Sequence, residues 1–90
     1  ALDAATRVMA LEYGPHGIRA NAVNPVVTLT PMAVKAWSDA DKARPMLQRI
    51  PMGRFVEPEE VAEAIAFLLG PAASMLNGIC LPVDGGFTAV

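Results

Sequence analysis

Few side chains in this 90-residue sequence could do chemistry, and those few do not assemble into a catalytic or metal-binding set. His16, the single histidine, lies between Pro15 and Gly17 in a turn, with no sequence partner to make it a base. It reads as a solvated loop residue. Cys80, the single cysteine, sits in the apolar stretch Ile79 to Val83, where a thiol is ordinarily inert, and one cysteine excludes an intramolecular disulfide framework. One histidine and one cysteine give no credible zinc set. Glu57, Glu59, Glu60 and Glu63 suggest paired carboxylates, but their place around Pro58 at a helix start is explained by the positive end of the helix dipole. Met9, Met32, Met46, Met52 and Met75 form no single stripe and read as core or pocket filler. No catalytic and no metal-ligating residue is assigned. What remains is main-chain chemistry. Val26-Val27-Thr28-Leu29-Thr30, fixed between Pro25 and Pro31, is an extended loop that presents backbone N–H and C=O groups at defined positions.

The elements that must hold this loop follow from periodicity. Residues 1–13 place Leu2, Ala5, Val8, Met9 and Tyr13 at helical spacing, and Gly14-Pro15 and Gly17 stop the helix. Ile18 to Val23 alternates and predicts a strand that Pro25 ends, so the loop leaves the strand's carboxyl end. Residues 32–50 are helix-prone but interrupted by Ser38-Asp39 and Pro45. A capping pattern of Ser38 with Asp41 starts a helix there that Pro45 should break within two turns. Two short helices or a mobile segment are expected, followed by a turn at Pro51-Met52-Gly53. Pro58, the acidic first turn and Val61, Ile65, Leu68 and Leu69 define a second firm helix, terminated by Gly70-Pro71. Ile79 to Val83 predicts a short buried strand, at a sheet edge because Pro82 lacks a ladder donor, and Asp84-Gly85-Gly86 a turn. Two strands joined through a crossover helix must run parallel if they share a sheet. The chain is therefore an α/β unit with two strands and two main helices.

Composition excludes several classes. The apolar-plus-aromatic share is 53% before the 7 glycines are counted, against about 45–50% with glycine in ordinary globular chains. Charged residues are 18% of the chain, below the usual ~25%. That imbalance points to a piece of a larger core, or to a chain that buries surface against a partner. The longest apolar runs fall short of the roughly 18 residues of a membrane span. The net charge of −2 is scattered, with no basic stripe for nucleic acid. Cysteine usage reads as cytoplasmic. No initiator methionine is present and Ala1 already lies inside a helical pattern, so further residues are expected before it.

Four stretches in order now carry a resemblance: Gly17-Ile18-Arg19-Ala20-Asn21-Ala22-Val23-Asn24-Pro25 with Thr30 beyond it; Arg49-Ile50-Pro51-Met52-Gly53-Arg54; Pro58-Glu59-Glu60-Val61-Ala62; and Gly78, Leu81 and Val83-Asp84-Gly85-Gly86. Together they resemble the carboxyl-terminal third of a short-chain dehydrogenase/reductase. Asn24-Pro25-Val26-Val27, with Ala36-Trp37-Ser38-Asp39 and Leu81-Pro82-Val83-Asp84-Gly85-Gly86-Phe87, is similar to that family's dicarbonyl and L-xylulose reductase branch. The resemblance implies that residues 1–90 are the carboxyl-terminal portion of a single Rossmann-type reductase domain, a doubly wound parallel sheet whose ligands lie beyond the carboxyl ends of its strands. It implies NAD(P)H-dependent reduction of a small carbonyl compound, with NADP the cofactor named and NAD left open, in a homotetramer. Pro25, Val27, Thr28, Thr30 and Met32 would then lie on the nicotinamide side. Val27 and Thr28 would bind the carboxamide through the main chain and Thr30 through its hydroxyl. Thr28 stands where the family usually has Val or Ile. Trp37 would line the substrate pocket, although a packing anchor weighs equally. Tyr13 is followed four positions on by Gly17, not by the lysine of the family's Tyr-x-x-x-Lys pair, and no glycine-rich phosphate loop is present. No turnover is expected of these residues alone. A rival expectation is a non-catalytic interaction or oligomerisation module built on the same fold.

Overall fold

The computed structural model describes residues 2–89. Alanine- and leucine-rich sequence forms helix α1 over Leu2–Tyr13, and the expected start at Ala1 lies outside the described residues. A 3₁₀ turn at Gly14–His16 follows. Gly17, at φ +76°, closes it by donating its N–H to the Gly14 carbonyl at 2.9 Å. Strand β1 is Ala22–Pro25, helix α2 Pro31–Ala36, helix α3 Ala40–Gln48, helix α4 Pro58–Leu69 and strand β2 Cys80–Val83. β1 and β2 pair in parallel, with Ala22 opposite Cys80 and Pro25 opposite Val83. This is the expected α/β arrangement.

The first strand begins later than its alternation predicts. Residues 18–21 are spent on a different set of bonds. The Arg19 guanidinium donates to the Leu68 and Leu76 carbonyls at 2.7 and 3.3 Å. Asn77 Oδ1 accepts from the Ala20 N–H at 2.9 Å, and Asn21 donates to Leu76 O while accepting from the Ile79 N–H. The polar half of the alternation thus ties the strand's entrance to the loop before β2, and ladder pairing starts only at Ala22. Pro25 is the last residue of β1 rather than its terminator, which its missing donor permits on a sheet with an open side.

Of the two expectations for residues 32–50, the structure forms two short helices. Asp39, not Ser38, caps α3, its carboxylate accepting from the Asp41 N–H at 2.9 Å, while the Ser38 hydroxyl turns back to the Lys35 carbonyl. Pro45 does not break α3, which runs on to Gln48. The carbonyl that Pro45 leaves without a partner is that of Asp41 in the exposed first turn, where water can serve it. Ala43, Ile50 and Phe55 then form a small buried cluster covered by Val26, Val27, Leu29, Trp37, Met46, Leu47 and Phe87. The Arg49 guanidinium lies 4.8 Å from the Phe87 ring centroid and ties the end of α3 to the carboxyl-terminal segment.

The glutamates at the start of α4 do more than complement a dipole. Arg54 holds Glu60 bidentately at 2.7 and 2.9 Å, and Glu60 also accepts from the Glu57 N–H at 2.9 Å. These bonds hold the Glu60 carboxyl down to about 2. After β2, buried Asp84 accepts from the Gly86 N–H and from the N–H and hydroxyl of Thr88, which keep its carboxyl below the ordinary range. The turn stacks on residues 50–53: Met52 donates to the Gly85 carbonyl at 3.0 Å, and a Cβ on Gly86, at φ +96°, would lie 2.9 Å from Pro51.

α1 and α4 flank β1 without closing over it. Leu68 is buried, but Leu69 is 77% exposed, and Met9, Tyr13, Ile18 and Ile65 are also exposed. With Val23 they line an apolar groove of about 640 Å³. Of the methionines, Met46 packs on the cluster and Met9 lines the groove, while Met9, Met32, Met52 and Met75 are all exposed. The radius of gyration is 15.4 Å, against about 12 Å for a compact domain of this length. Among the described residues, no helix is long and apolar enough to cross a membrane.

Two outcomes follow for stability. Gly86→Ala adds a methyl where φ is positive and Pro51 already fills the space, and should cost about 1–3 kcal/mol in denaturant unfolding. Glu60 contributes stability that is complete above its ordinary value of 4.5 and is lost as pH falls toward about 2. Glu60→Gln should therefore flatten the acid limb of a stability profile taken between those values.

Candidate functional site

Because β1 and β2 run parallel and end together at Pro25 and Val83, the segments leaving them emerge on the same side. The Val26 N–H reaches the Val83 carbonyl at 3.4 Å, and the chain then crosses to the segment before α4. Val56 donates to Val27 O at 3.0 Å, and Leu29 donates to Val56 O at 2.8 Å, forming an isolated parallel bridge between Thr28 and Val56. The Thr28 hydroxyl donates to Val26 O at 3.0 Å, and the Thr30 N–H to Thr28 O at 2.7 Å. Among the described residues the Val27 and Thr28 N–H groups donate to no protein acceptor. The Val27 and Thr28 carbonyls each accept one bond and keep a lone pair. A short stretch of main chain at the carboxyl end of a strand therefore offers two open donors beside two partly used acceptors.

Thr30 marks where the loop becomes helix. Its hydroxyl oxygen accepts from the Ala33 N–H at 3.3 Å, capping α2, and Pro31 takes the first helical position. The hydroxyl proton stays available to donate. Met32, in the first turn of α2, is 83% exposed and does not pack on the buried cluster. Trp37 caps the carboxyl end of α2, its N–H donating to Ala33 O at 2.9 Å. Its half-buried indole packs on the cluster, with the Phe55 ring centroid 5.6 Å away at 55°. Pro25, Val27, Thr28 and Thr30 lie consecutively along the strand exit, and Val27 and Trp37 rest on the same three buried residues. Met32 stands apart from that support.

Phe55 was not singled out in the sequence. The available signal was two apolar residues, Phe55-Val56, placed immediately before the acidic start of α4. His16 is exposed in its turn. Cys80 lies close enough to Asp3 for hydrogen bonding to that carboxylate to act on its thiol. That bond, then burial, then the negative charge push the thiol up, and it stays protonated. No group of histidine, cysteine and carboxylates among the described residues could hold a metal ion.

Residues 1–88 match the family described as enoyl-(acyl carrier protein) reductase. The chain belongs to the short-chain dehydrogenase/reductase family. It is 60% identical over 89 residues to L-xylulose reductase of Bos taurus, covering 99% of this chain and 36% of that protein. It is 49% identical over 87 residues to D-erythrulose reductase of Gallus gallus, covering 97% of this chain and 35% of that one. Among solved structures, a protein of Agrobacterium tumefaciens provisionally named a 2-deoxy-d-gluconate 3-dehydrogenase, with NADP bound, superposes with a TM-score of 0.93 at 35% identity, over 98% of this chain and 36% of that one. This short-chain dehydrogenase/reductase chain thus spans about a third of the length of the relatives it matches. Its parallel strand pair and helices have the α/β arrangement of Rossmann-type dehydrogenases of this family.

Shared support has a measurable consequence. Phe55→Ala removes a buried ring and the aromatic neighbour of Trp37, at a cost of about 3–5 kcal/mol. Amide exchange should accelerate together in residues 26–30 and in α2 and α3, while the β1–β2 ladder changes less.

Proposed function

We propose that these residues form the carboxyl-terminal portion of a single Rossmann-type reductase domain that reduces a small dicarbonyl or ketose, of the L-xylulose kind, with NADPH. The observation that carries this reading is the pair of open N–H donors on Val27 and Thr28 at the carboxyl end of β1, in a chain 60% identical to an L-xylulose reductase over 89 residues. A bound nicotinamide supplies the hydride. The chain's own part is to orient it: Pro25 fixes the exit direction, the Val27 and Thr28 main chain receives the carboxamide oxygen, and Thr30 donates its remaining proton. Met32 covers the ring from α2, and Trp37 provides a flat apolar wall for the carbonyl compound. NADP is named over NAD because two of the similar structures hold it.

No residue here delivers the proton that the reduced carbonyl oxygen must receive. Tyr13 has Gly17, not lysine, at the required spacing. That acid and the phosphate-binding loop belong to the rest of the domain. The working form in this reading is a cytoplasmic homotetramer of the longer polypeptide. The exposed apolar face of α1, with Leu11 77% exposed, supports burial there against other parts of the protein.

The test measures carbonyl-dependent NADPH oxidation by the longer polypeptide, with a dicarbonyl and a ketose as substrates, and by residues 1–90 alone. Turnover by the former and none by the latter is expected. Thr30→Val should raise the KM for NADPH several-fold by removing a hydrogen bond, and Thr30→Ser should restore it. A longer polypeptide that folds but consumes no NADPH with either substrate would leave the rival reading, an interaction module, in its place.

A further inference from the structure

We infer that Lys42 is a positioning residue for Trp37, its ammonium holding the indole against Phe55 in the orientation that meets the carbonyl substrate. The inference rests on the reductase reading, and within it on Trp37 as the wall of the substrate site.

Trp37 needs an external hold. It caps a helix of only 6 residues, with a backbone at φ −106° and ψ 19° that is no longer helical. A helix this short has little stability of its own. Phe55 restrains the ring from the cluster side, as a tilted aromatic neighbour at 5.6 Å. The ammonium of Lys42 lies 5.7 Å from the indole centroid, within the range at which a cation is drawn to an aromatic face.

The placement of Lys42 has no other explanation in the structure. It stands in the first turn of α3, after the Asp39 cap, where the positive end of the helix dipole disfavours a cation. The nearby acid that could compensate is engaged elsewhere: Asp41 pairs with Arg44 at 3.2 Å. Among the described residues Lys42 makes no salt bridge. Among the described residues its ammonium meets the Trp37 ring. α3 is in turn seated by Ala43, the next residue, which is buried against Ile50 and Phe55. The cation is thus delivered to the indole from the same small core on which the ring packs.

The experiment compares wild type, Lys42→Met, Lys42→Gln and Lys42→Arg in the longer NADPH-dependent polypeptide, with a small dicarbonyl as substrate. Lys42→Met keeps the aliphatic stem and removes the charge. It should raise the KM for the carbonyl roughly twofold to fivefold, the weight of an exposed cation–π contact. kcat, the KM for NADPH and the melting temperature should stay at wild-type values. Lys42→Gln should behave as Lys42→Met, and Lys42→Arg, which keeps a cation able to stack on the ring, should restore the carbonyl KM. In a Trp37→Ala background, Lys42→Met should have no further effect. The inference is overturned if both neutral variants keep the wild-type carbonyl KM, or if Lys42→Arg is as impaired as Lys42→Met. It is also overturned if the loss appears equally in the NADPH KM and the melting temperature, or persists without Trp37. A wild-type protein with no dicarbonyl-dependent NADPH oxidation sinks the reductase reading itself, and a Trp37→Ala variant with an unchanged carbonyl KM sinks the wall. Either result is distinguishable from a failure at Lys42.

Discussion

The arrangement of the candidate site depends on the parallel pairing of β1 with β2. The pairing is only four residues long. It nevertheless fixes Pro25 and Val83 at one level, so that the loop of residues 26–30 and the Asp84 turn leave side by side. Between those exits sits the cluster of Ala43, Ile50 and Phe55, roofed by residues from the loop, from α2 and α3, and by Phe87. At the opposite end of the strands, the side chains of Arg19, Asn21 and Asn77 prevent the pairing from fraying, because each bonds main-chain groups across the entrance. A parallel pair cannot be closed by a hairpin and needs a long crossover. Here the crossover carries the site: α2, α3 and the turn at Pro51 lie on it, and α4 brings it back to the sheet.

Elements whose signals are local were legible in the sequence. α1 and α4 were, because periodicity, a Gly-Pro stop and an N-terminal proline are each set within one turn of chain. The strand exit was legible because two prolines bracket it. What the sequence concealed were choices made between distant residues. The alternation at 18–23 promised a strand, but whether Arg19 and Asn21 face water or bond distant main chain is decided by Leu68, Leu76 and Ile79. Pro45 looked like a helix breaker because its missing donor was visible and the exposure of the Asp41 carbonyl was not. The acidic start of α4 was placed correctly and explained too generally: the dipole favours any carboxylate there, whereas Arg54 selects Glu60.

The same distinction applies to the site. The two prolines predict an extended loop over residues 26–30, but the chain bends at Val26 and Val27 and turns again where the Thr30 N–H meets the Thr28 carbonyl, so only Thr28 lies in a bridge. That its Thr28 N–H stays open follows from Val56, which takes the Val27 carbonyl and the Leu29 N–H, the groups on the opposite edge of the segment. Trp37 could be marked as the one large aromatic in a helix-prone excursion, but packing anchor and recognition surface were indistinguishable from sequence. Its half-buried position removes the opposition between them. An indole anchored along one side by Phe55 is better able to present the other, since a ring that costs little to order can serve as a wall.

The apolar excess has its own physical account. A parallel sheet normally has both faces covered, and its strands and helices are composed accordingly. Among the described residues β1 pairs with β2 alone, and Ile18, Ile65, Leu69 and Tyr13 are left lining an open groove. The cluster beyond the strand ends is different: Ile50 is 2% exposed, and its roof is complete within the chain. The packing that positions the loop and Trp37 is therefore internal to this segment, while the packing that stabilises the sheet is not. The loop of residues 26–30 and Trp37 thus rest on one short core of the chain's own residues, so that their relative geometry is set without the groove between α1 and α4.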